Sequence, residues 1–228
     1  MHNRAGFELA NGLPFVATDQ ASHYLLDDRK VADTMKLQVA LGKLRLASGH
    51  FQGKVVAIDP HRTRSHSKRH MRKRAEKGER RPFKKLQTFW SLGADTNQPI
   101  YFTTGTASRS VNDATSELLK LTGEILQPSL EETLVLADSE HFTVELIGDV
   151  HQRTGFDLLV PMPSRKSYRK AFQEIPESQF TRRWAGYATA KLPFELKNQD
   201  AGNYYQFVER SGERSEEVSY KGFLCTSD

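Results

Sequence analysis

The sequence predicts an α/β chain built as a mixed sheet flanked by helices. Two observations point there first. "KVVAIDP", "ETLVLADS" and "FDLLVPMP" are short apolar runs with the look of buried strands, and "SVNDATSELLKLTGEIL" between them repeats apolar residues at helical spacing. Composition is the third: 37% hydrophobic and 27% charged residues over 228 positions suit one sizeable core, alone or with a smaller unit appended.

Each element follows in order. Residues 1–17, with Gly, Pro and Asn, read as a surface arm, and "TDQASHYLLDD" as a short helix capped by Thr18 or Asp19. "DRKVADTMKLQVALGKLRLASGHF" sets Val31, Met35, Val39 and Leu46 on one helical face and Leu37, Leu41 and Leu44 on the other. This predicts a helix covered from two sides and ending near Gly49. "KVVAIDP" is then a central strand stopped by Pro60. The tract after it has no apolar period, and Gly78 and Pro82 predict an exposed, partly mobile loop. "LQTFWSLGADTNQPIYFTTGT" reads as a hairpin, with Leu86 to Leu92 and Ile100 to Thr104 joined by "ADTNQP". An amphipathic helix with Leu118, Leu119, Leu121, Ile125 and Leu126 inward comes next. The strand "ETLVLADS", a helix over "EHFTVELIGDVHQRTG" closed by Gly155, and the strand "FDLLVPMP" complete the series. From about Ser164 polar turns alternate with aromatic runs such as "RRWAGYATA" and "NYYQFVE", predicting a β-rich appendage with its own small apolar face. The organisation is therefore a helical region over 1–50, a core over 51–164 and a β-rich segment over 165–228.

Charge is distributed unevenly. Residues 61–85 hold 12 of the 33 Lys and Arg but 2 of the 28 Asp and Glu, leaving 21 basic and 26 acidic residues elsewhere. The net charge of +5 thus comes from one tract, which focuses a field suited to a polyanion. Arg62, Arg64, Lys68 and Arg69 open the tract, and Arg72, Lys73 and Arg74 form its middle. Arg80, Arg81, Lys84 and Lys85 close it. Each is a candidate phosphate contact that would position DNA without reading its sequence. A solvated charged loop or an unspecific polyanion-binding tail is the plainer reading.

Several classes are excluded or disfavoured. The single cysteine, Cys225, allows no intrachain disulfide and suits a reducing cytosol. His61, His66 and His70 lack the spacing of a zinc site. The N-terminus has no signal-peptide pattern and no run approaches 18 apolar residues, so the expectation is a cytoplasmic chain with no membrane partner. GxxxxGK[ST], GxGxxG and GxSxG motifs are absent.

Asp59 and Asp138 end two of the predicted strands. If those strands are neighbours, the carboxylates converge, and a divalent cation with a preference for hard oxygen, Mg²⁺ or Mn²⁺, relieves their repulsion. Structural alternatives stand beside this. Asp59 could cap a turn before Pro60, and Asp138 could N-cap a helix beginning near Glu140, with His141 at that helix start or facing the metal.

"VVAIDPHRTRSHSKRHM", "LQTFWSLGADTNQPIYFTTGT" and "TLVLADSEHFTVELI" together resemble the DDE transposases of bacterial insertion sequences, strongly over roughly 50–165 and more loosely to the end. The resemblance implies a ribonuclease H-like mixed sheet flanked by helices, with a β-rich insertion after the fifth strand. It implies three acids holding two Mg²⁺ (or Mn²⁺) ions, nicking of the element's end, and attack of the freed 3′-hydroxyl on target DNA. The implied partners are transposon ends, target DNA, and a second copy or a full-length transposase as a dimer, in a bacterial, nucleoid-associated setting. Asp59 matches the first catalytic and metal-binding acid and Asp138 the second. The third, a Glu on a late helix, has no counterpart in this chain: "YKGFLCTSD" resembles the strand before that helix, and Glu209, Glu213, Glu216 and Glu217 lie in a turn-rich segment. The expectation is a truncated transposase inactive by itself, or a non-catalytic DNA-binding remnant that modulates a full-length one. A ribonuclease H-like nuclease of another family would need a complete triad.

Overall fold

The computed structural model describes residues 20, 30–51, 53–75, 78–106, 108–127, 133–196, 204–212 and 217–227; the predicted arm over 1–17 and, residue 20 aside, the predicted helix "TDQASHYLLDD" lie outside them. Helix α1 (Val31–Ala47) precedes β1 (Val55–Arg64), a two-residue β2 (Lys73–Arg74) and the hairpin of β3 (Phe83–Gly93) and β4 (Gln98–Thr106). Then come α2 (Val111–Leu126), β5 (Leu134–Leu136), α3 (Val144–Arg153) and β6 (Asp157–Pro161). Helix α4 (Lys166–Gln173) leads into β7 (Thr181–Trp184), β8 (Tyr187–Phe194), β9 (Tyr204–Ser211) and β10 (Ser219–Cys225). Caps fix the helix starts: Ser110 accepts from the Asp113 N–H ahead of α2, and Thr143 from the Leu146 N–H ahead of α3. Gly155, at a left-handed φ of 71°, follows the end of α3.

The central strands run β4-β3-β1-β5-β6. β1 is antiparallel to β3 and parallel to β5, and β5 is parallel to β6. Three antiparallel strands joined to two parallel ones, with helices against them, make the mixed sheet flanked by helices that the sequence predicts. Pro60 does not stop β1, contrary to expectation. The strand continues to Arg64 paired with β3, while its pairing with β5 ends at Ala57↔Leu136. Beyond Ala57 that flank is an edge, where a residue without an N–H loses no ladder bond. The basic tract is correspondingly less loop-like: β1 runs into it, and β2 pairs Lys73 with Lys84 and Arg74 with Phe83.

One face of the sheet is closed. Val56 and Ile58 on β1, Phe89 on β3, Tyr101 on β4, Val135 on β5 and Leu158 and Val160 on β6 are buried. Helix α2 lies over β3 and β4 and α3 over β6, and all five predicted α2 residues point inward. Ser91 Oγ meets Thr122 Oγ1 at 2.7 Å and ties α2 to the sheet within the core. The alternate residues Ala57, Leu92, Leu134 and Leu136 are only half-buried, and Trp90 stacks on the exposed Phe102 at 4.8 Å. Helix α1 is covered on one side only among the described residues. Val39 and Gly42 are buried, whereas Leu37, Leu41, Leu44 and also Val31, expected to face inward, are exposed. Arg45 fastens the helix to the start of β4 through the Pro99 carbonyl at 2.6 Å and Gln98 Oε1 at 2.8 Å.

The β-rich segment shares this framework. β10 pairs with β6 from Phe223↔Pro161 to Cys225↔Leu159, and β9, β8 and β7 extend the same sheet. Val208 and Leu224 belong to one core with Ile147 and Leu158. Helix α4, absent from the sequence reading, packs on β10 over Gly222, where an added Cβ would stand 2.3 Å from the Phe172 ring. Gly222→Ala is expected to cost about 1–3 kcal/mol through overpacking. Thermal unfolding checks this, and an unchanged midpoint would mean that Phe172 moves aside freely.

Candidate active site and nucleic-acid interface

Ala57 and Leu136 are register partners on parallel strands, and Asp59 and Asp138 each lie two residues further on. Asp59 and Asp138 thus both lie beyond the C-terminal end of the β1–β5 ladder, whose last pair is Ala57↔Leu136. Asp59 sits mid-strand, exposed and opposite Trp90, because β1 continues past Pro60; it does not cap a turn. Asp138 is a cap. Its Oδ1 accepts from the Glu140 N–H at 3.0 Å and lies 2.6 Å from His141 Nδ1, closing a 3₁₀ turn over Ser139–His141 before α3 begins at Val144. An ionised carboxylate can only accept, so Nδ1 carries the proton. His141 itself is buried beneath the turn. Its hydrogen bond holds the Asp138 carboxyl below the usual carboxylate range; burial opposes this, while the charges of His141 and Arg62 and the Glu140 N–H assist it.

The cations nearest these acids are already matched. Arg62 forks onto Glu140, Nη1 reaching Oε1 at 3.0 Å and Nη2 reaching Oε2, and this pairing lowers the Glu140 pKa. Gln87, in the amide orientation its neighbours require, accepts from Arg62 Nε at 2.8 Å and donates to the Thr106 carbonyl at 3.0 Å. Glu79 takes Arg64 through Nε at 3.1 Å and Nη2 at 3.0 Å, and Lys85 through Nζ at 2.9 Å. Lys84 Nζ donates to the carbonyls of Ser67 at 3.0 Å and Arg69 at 2.8 Å, and the Arg64 guanidinium lies 4.0 Å over Phe83.

Four of the predicted phosphate contacts thus serve the fold. Arg62, Arg64, Lys84 and Lys85 stitch the tract to the sheet, and Lys85, 1% exposed, cannot reach a phosphate. Lys68, Arg69, Arg72, Lys73 and Arg74 remain exposed on the loop, with Arg80 and Arg81 close behind. Sequence reasoning missed Glu79 and Glu140 as organisers. A signal existed for Glu79, one of only 2 acids in the tract.

Two hard oxygen donors suit one Mg²⁺ or Mn²⁺ ion that completes its shell with water. Among the described residues no group of three or more His, Cys, Asp or Glu side chains could share a metal. Glu209 lies on β9, four strands from β1 and about 19 Å away at strand spacing. There it accepts from the Tyr187 hydroxyl at 2.7 Å. Glu217 precedes β10, and Glu213 and Glu216 lie outside the described residues.

Two outcomes are expected. Glu79→Ala removes the carboxylate from a pair with buried Lys85 and should cost about 3 kcal/mol in urea unfolding, with faster proteolysis inside residues 65–82. An equally stable, equally resistant variant would show the loop to be held by other means. Asp138 and Glu140 both have depressed folded pKa values, so the stability they contribute is complete above the usual carboxylate value of about 4. It is lost as pH falls through the folded values. Arg62→Gln should lower stability at pH 7 and flatten its dependence below about pH 4, measured by urea unfolding across an acid series.

No family model matches the sequence, and no curated protein matches it. Among solved structures the chain is similar to the piggyBac transposase synaptic complex with hairpin DNA, at 12% identity over 77% of this chain and 34% of that one, with a TM-score of 0.46. It is also similar to Ciona intestinalis endonuclease V in complex with a 24mer DNA containing an inosine followed by a ribo-adenosine, at 12% identity over 76% and 70% of the two chains, TM-score 0.33. The Mos1 mariner paired end complex with Mn matches at 11% identity over 74% and 56%, TM-score 0.32. The chain spans about a third of the length of the piggyBac transposase chain.

Proposed function

We propose that this chain carries the catalytic core of a DDE-type transposase of a bacterial insertion sequence, handling DNA at Asp59 and Asp138. The observation behind the reading is that both acids follow the C-terminal end of the same parallel β1–β5 ladder, and that β1 runs on into a loop of exposed cations. Mg²⁺ or Mn²⁺ bound by the pair would supply Lewis-acid polarisation of a phosphodiester. The protein's own part is positional. Asp59 presents a free carboxylate from a rigid strand. Asp138 is kept ionised and oriented by His141, and the Arg62–Glu140 fork keeps the adjoining turn against β1. Arg72, Lys73 and Arg74 hold the DNA backbone. Its partners in this reading are transposon ends, target DNA, and a second copy or a full-length transposase.

With two acids a second ion is poorly held, and a two-ion displacement loses most of its rate. The lack of a third carboxylate among the described residues favours a second reading: a non-catalytic DNA-binding remnant that modulates a full-length enzyme. Titration with Mn²⁺ separates the two. Asp59→Asn and Asp138→Asn should each abolish saturable Mn²⁺ binding, and affinity unaltered by both substitutions sinks the first reading. Replacing Arg72, Lys73 and Arg74 by Ala should reduce the slope of log affinity for duplex DNA against log salt by about 2.7, at about 0.9 per phosphate contact. A slope identical to wild type removes the loop as the contact.

A further inference from the structure

We propose a second phosphate-binding site in the cleft between α4 and β10, on the opposite flank of the acid pair from the basic loop, taking the backbone of duplex DNA. The proposal rests on the reading of the acid pair as the place where DNA is handled. Its own support is local.

The cleft encloses about 450 Å³ and opens beside Ser139, the residue after Asp138. Its floor is fixed: the Met162 N–H donates to the Gly222 carbonyl at 2.8 Å, and Phe172 lies directly over Gly222. Tyr168 forms a wall, edge-on to Phe142 at 6.0 Å and stacked with Phe172 at 6.4 Å. Arg165, Arg169 and Lys221 line it, and no carboxylate does.

These cations differ from those that stitch the basic tract to the sheet. Arg62, Arg64, Lys85 and Arg210 each have a carboxylate partner. Arg165, Lys166 and Lys221 have none among the described residues, and Arg169 has only the Ser164 hydroxyl at 3.2 Å. Like charges collected on a concave surface repel one another, and a polyanion relieves that repulsion. Arg165 and Arg169 recur four residues apart, about 6 Å on a helix surface. Such a row follows successive phosphates, and guanidinium forks bind them bidentately.

Topology supplies the relation to the acids. β1, β5 and β6 are parallel, so their C-terminal ends share one sheet edge. The basic loop follows β1, Asp138 follows β5, and the segment leading to Arg165 follows β6. A duplex laid along that edge would meet cations on both sides of the carboxylates.

The test is the salt dependence of affinity for a fluorescent DNA duplex, measured in EDTA. The double variant Arg165→Ala/Arg169→Ala should lower the slope of log affinity against log salt by about 1.8, at about 0.9 per contact. Arg165→Lys/Arg169→Lys should keep the slope. If the alanine variant fails to fold, Lys221→Ala, with an expected loss of about 0.9, decides in its place. A folded alanine variant with the wild-type slope overturns the cleft, as does a wild-type chain that does not bind the duplex. No metal enters this measurement. A chain that loses slope here but binds no Mn²⁺ at Asp59 and Asp138 would overturn the proposed function and leave the cleft standing.

Discussion

Three register pairs between β1 and β5, from Val55↔Leu134 to Ala57↔Leu136, fix how the antiparallel and parallel halves of the sheet meet. So short a ladder could slip, yet burial locks it. Val56 and Ile58 on β1 and Val135 on β5 face the closed side of the sheet, and Asp59 faces out between them. Moving β1 by one residue would turn two aliphatic side chains toward water at about 1.5–3 kcal/mol each. It would also press a carboxylate into the core, which costs more still without a partner. The face on which Asp59 stands is thus set by packing at neighbouring positions of β1 and not by the acid itself.

Electrostatics then sorts the basic tract by distance from the sheet. Cations that leave the sheet with β1 or return with β3 are paired: Arg62 with Glu140, Arg64 and Lys85 with Glu79. Those further out are exposed and have no carboxylate partner among the described residues. The arrangement gives the loop a folded stem, so less backbone freedom remains to be lost when a polyanion binds than a free tail would lose. The same pairing withdraws three cations from the count of phosphate contacts, and the Ser67 and Arg69 carbonyls engage a fourth, Lys84. A sequence-level charge total therefore overstates the binding face.

How far all this was legible depended on whether the deciding contacts were local. The β3–β4 hairpin, helix α2 with its inward leucines, and the Gly155 stop of α3 are written in spacing and turn residues within a few positions, and they form as read. Pro60 misleads because its effect depends on whether a neighbouring strand lies alongside. That neighbour, β5, is more than seventy residues away and ends its pairing three residues earlier. Lys85 looks like one more basic residue, and only the alternation of β3, which places it on the face of Gln87, Phe89 and Ser91, shows that it must be buried with a partner. Helix α4 hides behind its charge. Its apolar residues are Tyr168 and Phe172, four apart, and the cations between them read as a polar turn. The pairing of β10 with β6 joins residues some sixty positions apart and leaves no local trace.

The gathering of these charged groups at one edge follows from the direction of the strands. In open sheets with parallel strands, ligand sites form outside the carboxyl ends, near a strand where the chain's connections diverge. β1 is such a strand here, with antiparallel β3 on one flank and parallel β5 on the other. The chain therefore leaves the same edge three times, after β1, β5 and β6, and each exit carries a different chemical part: a cationic loop, a capped carboxylate, and the cationic wall of a cleft. Because β6 also pairs with β10, the cleft and the acid pair belong to one continuous ladder. Sites carried on strands hold their relative geometry better than sites carried on separate loops. The strand ends thus bring the three exits to one edge, while a 3₁₀ turn at Asp138 and helix α4 at Arg169 orient the side chains themselves.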